Sequence, residues 1–240
     1  MVMLGCGSPW AYLQVLRQRL LRPTAVILWV PCFHPPDHVR HTVKAHLARW
    51  ALRLAQRANI EVRVLSAQEH ARLDAGRCQG ISLGFERRFT LSEPQPDQAR
   101  PFDLVFLGRP TAQKGWPLFE HLAQRTGLPS LALLAHPPEQ PPAAEITVIT
   151  AGSDAAVQSG LARSKLLLLP ADYESFGFAQ AEALAMGCCV PVLGEWPLWL
   201  DVPELDWRGL DAAAIAARIQ GLLGPSAQWR WHLRCCCQRR

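Results

Sequence analysis

Two segments of the chain hold charged and glycine residues at spacings that could grip an anion. The first, Lys165 to Leu193, reads KLLLLPADYESFGFAQAEALAMGCCVPVL. A short apolar run leads into a loop carrying Asp172, Tyr173 and Glu174, and Gly177 then opens a stretch of helical period. At such a helix start the amides of Gly177, Phe178 and Ala179 have no acceptor within the helix and carry the positive end of its dipole, so a phosphate fits there. Gly177 lets the backbone come close. Glu174 precedes this helix and Glu182 lies in its second turn. The two carboxylates could point into one crevice, or could be a solvated loop acid and a helix acid bonded to its neighbours.

The second segment, Phe102 to Phe119, reads FDLVFLGRPTAQKGWPLF. It predicts a strand ending at Gly108, with Arg109 and Lys114 on the loop that follows. Two cations at the carboxyl end of a strand, facing a helix amino terminus of the same sheet, are what a diphosphate leaving group requires. The alternative for Arg109 and Lys114 is ordinary surface charge. A Walker loop is excluded, because G-x-x-x-x-G-K-[ST] is absent.

The elements that must hold these segments follow from periodicity. Apolar runs short enough for buried strands recur at Ala25 to Val30, Ile60 to Leu65, Gly80 to Leu83, Leu104 to Leu107, Leu131 to Leu134, Ile146 to Ile149, Leu166 to Leu169 and Val190 to Leu193. Helical stretches at Val39 to Ala58, Lys114 to Arg125, Asp154 to Arg163, Phe178 to Met186 and Asp211 to Leu223 fall between most of them. Strands alternating with helices predict parallel sheets covered on both faces. Ligands of such sheets bind at the carboxyl ends of the strands. Ser92 to Pro101, SEPQPDQARP, is polar and proline-interrupted and reads as a linker. The expected organisation is a first unit over residues 1–92, a linker over 93–101, a second unit over 102–225 and a tail over 226–240.

Composition limits the classes open to the protein. With 240 residues, 49% hydrophobic and 19% charged, the chain can bury one large core or two modest ones. No apolar run approaches the ~18 residues of a membrane span, and the start lacks the pattern of a secretory leader. The eight cysteines form no C-x-x-C pair and no regular framework, which argues against a disulfide-stapled fold. Residues 1–100 carry 14 basic and 7 acidic side chains, whereas 101–240 carry 11 and 13, so the first unit is the one that would approach an anionic surface. Its stretch Val39 to Ala58 sets Val39, Val43, Leu47, Trp50 and Leu54 against Arg40, Lys44, Arg53 and Arg57. This is the pattern of a basic amphipathic helix, either resting on anionic lipid or simply wetting one face.

On these residues the chain resembles family 4 retaining glycosyltransferases of GT-B architecture. Tyr173-Glu174-Ser175-Phe176-Gly177-Phe178 followed by Glu182-Ala183-Leu184-Ala185-Met186-Gly187 is similar to the family's E-x7-E element. Leu107-Gly108-Arg109 with Lys114-Gly115 is similar to its G-R…K-G element. The resemblance covers about residues 100–200 well and 8–90 loosely, the latter through Ile81-Ser82-Leu83-Gly84-Phe85. It implies an α/β, GT-B-like fold of two Rossmann-like parallel-sheet units. Relatives open with a strand, a glycine-rich acceptor loop and a helix ahead of the part that Leu4 to Arg22 resembles, so the first unit is expected to be incomplete.

The resemblance also implies roles. Arg109 and Lys114 would bind the diphosphate of a UDP- or GDP-linked sugar, Glu182 the ribose hydroxyls and Glu174 the donor sugar, while the amides of Gly177, Phe178 and Ala179 cover the phosphates. No metal or other cofactor is expected, in keeping with the lack of a D-x-D motif. The acceptor would be a glycan or a lipid-linked glycan, as in polysaccharide or lipopolysaccharide biosynthesis. The implied location is the cytoplasm, peripheral on the inner membrane face, with no nucleic-acid partner. Trp29 to Pro35 is similar to the place where many relatives set a histidine facing the sugar, which makes His34 a candidate catalytic group. His34 could instead join His38 and His41 at a metal, or lie on the surface. The run Cys235 to Cys237 and the tail around it resemble nothing in the family and read as a frayed end, with lipidation or metal capture as alternatives. Two other functions stay open: a non-catalytic module that binds nucleotide sugars or a partner, and a GT-B epimerase.

Overall fold

The computed structural model describes residues 2–5, 9–24, 26–30, 46, 50, 53–55, 57–64, 79–80, 100–143, 145–171, 174, 177–194 and 203–223. The chain divides into two compact units, Met1–Phe85 and Glu86–Arg240. In the first, strands Val2–Gly5 (β1), Ile27–Val30 (β2), Glu61–Val64 (β3) and Gln79–Gly80 (β4) pair in sequence order, all parallel. Helix Pro9–Leu21 (α1) connects β1 to β2. Strand β1 and α1 were not expected from the sequence. The apolar residues of α1 run round the helix instead of forming a stripe: Val15 is buried, while Leu13, Leu20 and Leu21 are exposed.

The stripe expected along Val39 to Ala58 needs correction where it can be seen. Trp50 is 59% exposed, against the expected stripe, whereas Leu54 is half-buried and Ala55 is buried. Arg53 and Arg57 are exposed, as their charge requires.

The second unit is a four-stranded parallel sheet made of Phe102–Gly108 (β5), Ser130–Leu134 (β6), Ile146–Thr150 (β7) and Ser164–Leu167 (β8), in the order β7-β6-β5-β8. Its helices are Trp116–Thr126 (α2), Asp154–Ala162 (α3), Phe178–Ala185 (α4) and Ala212–Leu223 (α5). Two of them start where local chemistry directs. Pro117 sits in the first turn of α2, and Ser153 caps α3 by accepting from the Ala156 amide.

The core lies where the sheet meets its helices. Phe106 packs edge-to-face against Trp116 and at a tilt against Phe119 of α2, with ring centroids 5.1 and 5.3 Å apart. Leu104, Val105, Leu131, Leu133, Leu134, Leu166 and Leu167 are buried, each contributing about 1.5–3 kcal/mol through removal from water. Two expected strands shift. The one at Leu166 to Leu169 begins earlier, at Ser164, and Pro170 follows it closely. Val190 to Leu193 is buried or half-buried but among the described residues forms no strand, only the isolated bridge of Val192 with Asp206, while Cys189 just before it bridges Leu166. Pro191 interrupts that run and offers no amide to a ladder.

Candidate functional site

Parallel pairing of β5 with β8 brings their carboxyl-terminal loops side by side. After β5, Arg109, Pro110 and Thr111 lead into a single 3-10 turn, Ala112–Lys114, and Gly115 then starts α2. After β8 the buried segment Leu168 to Ala171 runs on toward Glu174, with the Leu168 amide still donating to the Val105 carbonyl at 2.9 Å.

The loops touch at two points. Gly115 has φ +74°, and a Cβ there would collide with the Pro170 carbonyl, so glycine is required on both counts. Nearby, the Lys114 ammonium donates a hydrogen bond to Glu174 Oε1, making an ion pair whose side chains are 20% and 14% exposed. The structure therefore joins two predicted site residues that lie 60 positions apart in the chain.

Helix α4 begins without a side-chain cap. Gly177 is its N-cap, buried and left-handed at φ 82°. The first intrahelical bond runs from the Ala181 amide to the Gly177 carbonyl. The amides of Phe178, Ala179 and Gln180 thus have no acceptor within the helix and present partial positive charge. The Phe178 side chain is exposed and Ala179 is half-buried. Glu182 is half-buried, on the same side of the helix as Phe178 by the 3.6-residue period. Arg109 is exposed, and among the described residues its side chain makes no hydrogen bond or ion pair. His34, with His38 and His41, lies outside the described residues, as do Asp172, Tyr173, Ser175, Phe176 and the Cys235 to Cys237 run.

Sequence reasoning missed two buried polar groups at this end of the sheet. Gln180 is 1% exposed, and neither its amide oxygen nor its nitrogen has a hydrogen-bond partner. Side chains on a helix lean toward its amino terminus, so this amide leans toward the open end of α4. Thr111 Oγ1 is buried without a partner on the facing loop. Gln180 could have been noticed as a polar residue among the alanines of FAQAEALA, on a face that must meet the sheet.

The opposite end of α4 is closed. Arg100 is 2% exposed, and its guanidinium donates to the carbonyls of Ser164 (2.6 Å), Met186 (2.9 Å) and Gly187 (3.1 Å). It thereby places a cation at the negative end of the helix dipole. The neighbouring Cys188 thiol donates to the Leu161 carbonyl at 3.2 Å. Burial pushes that thiol up to about 12, with Arg100 pulling the other way.

No family model matches the chain, and no curated protein matches it by sequence. Solved structures do resemble it. Sucrose-phosphate synthase from Thermosynechococcus elongatus aligns over 95% of this chain and 66% of its own, at 20% identity and TM-score 0.68. WaaG, a glycosyltransferase involved in lipopolysaccharide biosynthesis, aligns over 96% and 78%, at 14% identity and TM-score 0.69. The pneumococcal O-GlcNAc transferase GtfA, in complex with UDP and GlcNAc, aligns over 92% and 51%, at 11% identity and TM-score 0.63. The chain thus spans about two thirds of the first structure and about half of the third. At these identities the likeness is one of fold, and the chain has a GT-B-like α/β fold with parallel-sheet units.

Proposed function

We propose that this protein is a glycosyltransferase that takes a sugar from a UDP- or GDP-linked donor and passes it, with retention of configuration, to a glycan or lipid-linked acceptor. The observation that carries this reading is the meeting of Lys114 and Glu174 beside the uncapped start of α4, on a fold shared with glycosyltransferases. Lys114 and Arg109 neutralise the charge that develops on the departing diphosphate. The amides at the start of α4 add fixed dipoles that need no reorganisation during the reaction. Glu182 accepts hydrogen bonds from the ribose, and Glu174 does so from the donor sugar. No protein nucleophile or metal is invoked, and the departing phosphate oxygen is the base we favour for the acceptor hydroxyl. His34 is proposed as a further group facing the sugar. No helix among the described residues is long and apolar enough to cross a membrane. We place the enzyme in the cytoplasm, at the inner membrane face.

Binding and transfer are tested separately. In folded Lys114→Ala and Glu182→Ala variants, calorimetry should show nucleotide affinity weakened by on the order of 1–3 kcal/mol each, since charged hydrogen bonds are lost. Unchanged affinity would refute the site. Transfer of labelled sugar from a nucleotide donor to a cellular acceptor fraction is the expected activity. Nucleotide binding with neither transfer nor donor hydrolysis would instead identify a non-catalytic binding module, and conversion of the free nucleotide sugar without acceptor an epimerase.

A further inference from the structure

Two lysine–carboxylate pairs bridge the flanks of β5 and β8. Lys165 with Asp103, at 2.7 Å and side-chain exposures of 22% and 15%, spans the beginnings of the two strands. Lys114 with Glu174 is buried to a similar degree but spans their carboxyl-terminal loops, next to the open helix end. The second pair uses the cation that the proposed function assigns to the diphosphate. Of the two cations after β5, Arg109 reaches solvent without a partner among the described residues, whereas Lys114 is already neutralised.

An anion that binds the Lys114 ammonium competes with Glu174 for it and draws it away. The carboxylate is then left half-desolvated beside like charge, which is costly unless it finds new donors. A sugar attached to the diphosphate supplies them, because its hydroxyls can donate to Glu174. A bare nucleoside diphosphate carries the same phosphates and no such hydroxyls next to them. We infer that Glu174 is a resident counter-ion of Lys114 that makes the site favour the sugar-bearing nucleoside diphosphate over the bare one. This rests on the proposed function and adds a specificity-determining role to it. Glu174 holds Lys114 when the site is empty, holds the sugar when donor is bound, and competes for Lys114 once the sugar has gone. Departure of the spent nucleotide is thereby hastened.

The experiment compares Kd for UDP, GDP and ADP and for their glucose conjugates in the wild-type chain, Glu174→Gln, Lys114→Ala and the double variant. Asp103→Asn serves as the control pair, and circular dichroism checks that each variant is folded. Glu174→Gln keeps the shape but removes the competing charge. Its affinity for the bare diphosphate should rise about three- to tenfold, and the preference for the sugar conjugate should shrink by a similar factor. The gain should vanish in the double variant, and Asp103→Asn should leave both affinities as they are. If Glu174→Gln binds the bare diphosphate no more tightly than the wild type, or if the gain persists without Lys114, the counter-ion role is overturned while the nucleotide site stands. If neither the wild type nor Glu174→Gln binds any of the diphosphates, both readings fall.

Discussion

The two ends of the β5–β8 ladder are built from the same materials and finished differently. At the amino end, Asp103 meets Lys165, Arg100 donates hydrogen bonds from its two terminal nitrogens to three carbonyls, and the Cys188 thiol donates to the Leu161 carbonyl. At the carboxyl end, Gln180 and Thr111 carry buried polar atoms with no partner, Arg109 is exposed, and α4 starts uncapped. Among the described residues of the second unit, three of the four buried polar atoms without a partner lie at this end, and the fourth, Arg100 Nε, lies at the other. A closed end fixes the helix, and an open end keeps donors and acceptors available. Stability should depend on the first, and recognition on the second.

Replacing Arg100 should separate them most sharply. Arg100→Met leaves three carbonyls without their donor at a buried site, and urea denaturation should show a loss of about 3–5 kcal/mol. The folded fraction should still bind nucleotide as the wild type does. A large change in affinity would mean that the closed end also shapes the site.

The Cys188 thiol gives a second handle on the closed end. Its pKa is raised in the folded state, from 9.0 to about 12, so the native protein holds this proton where the unfolded chain has lost it. Stability from this group is complete below pH 9 and falls as pH rises from there toward 12, by up to about 1.4 kcal/mol per pH unit. Chemical denaturation between pH 8 and pH 10.5 should show the decline, and Cys188→Ala should flatten it. An unchanged slope would show the thiol to be better solvated than its burial implies. In the native state, Cys188 and Cys189 should both resist alkylation, because burial keeps the reagent from both sulfurs.

At the open end the smallest effect is expected, and with the opposite sign. Gln180→Leu removes two unsatisfied polar atoms at nearly the same volume, and should raise stability by about 1 kcal/mol in a thermal melt. A clear loss of stability would mean that the amide has found a partner in solution, and that this end is more closed than its hydrogen bonds suggest.

The sequence was most informative where structure is local. Apolar runs bounded by glycine and proline located β5, β6 and β7 within two residues at either end, and helical period located α3, α4 and α5 nearly to their limits. It was silent on β1 and α1, because a helix with leucines on its wet face has no stripe to read. It placed Arg100 in a polar linker segment, since nothing in SEPQPDQARP tells a solvated arginine from one about to enter a core.

The same division holds at the site. That Lys114 follows a strand, and that Gly177 precedes a helix, is written in neighbouring residues, because strand period, glycine and helix start are properties of short windows. That Lys114 should be held by Glu174, and that Gln180 should be left without a partner, is written in no window at all. Those facts depend on which strands lie side by side, and the order β7-β6-β5-β8 is a result of packing over the whole unit.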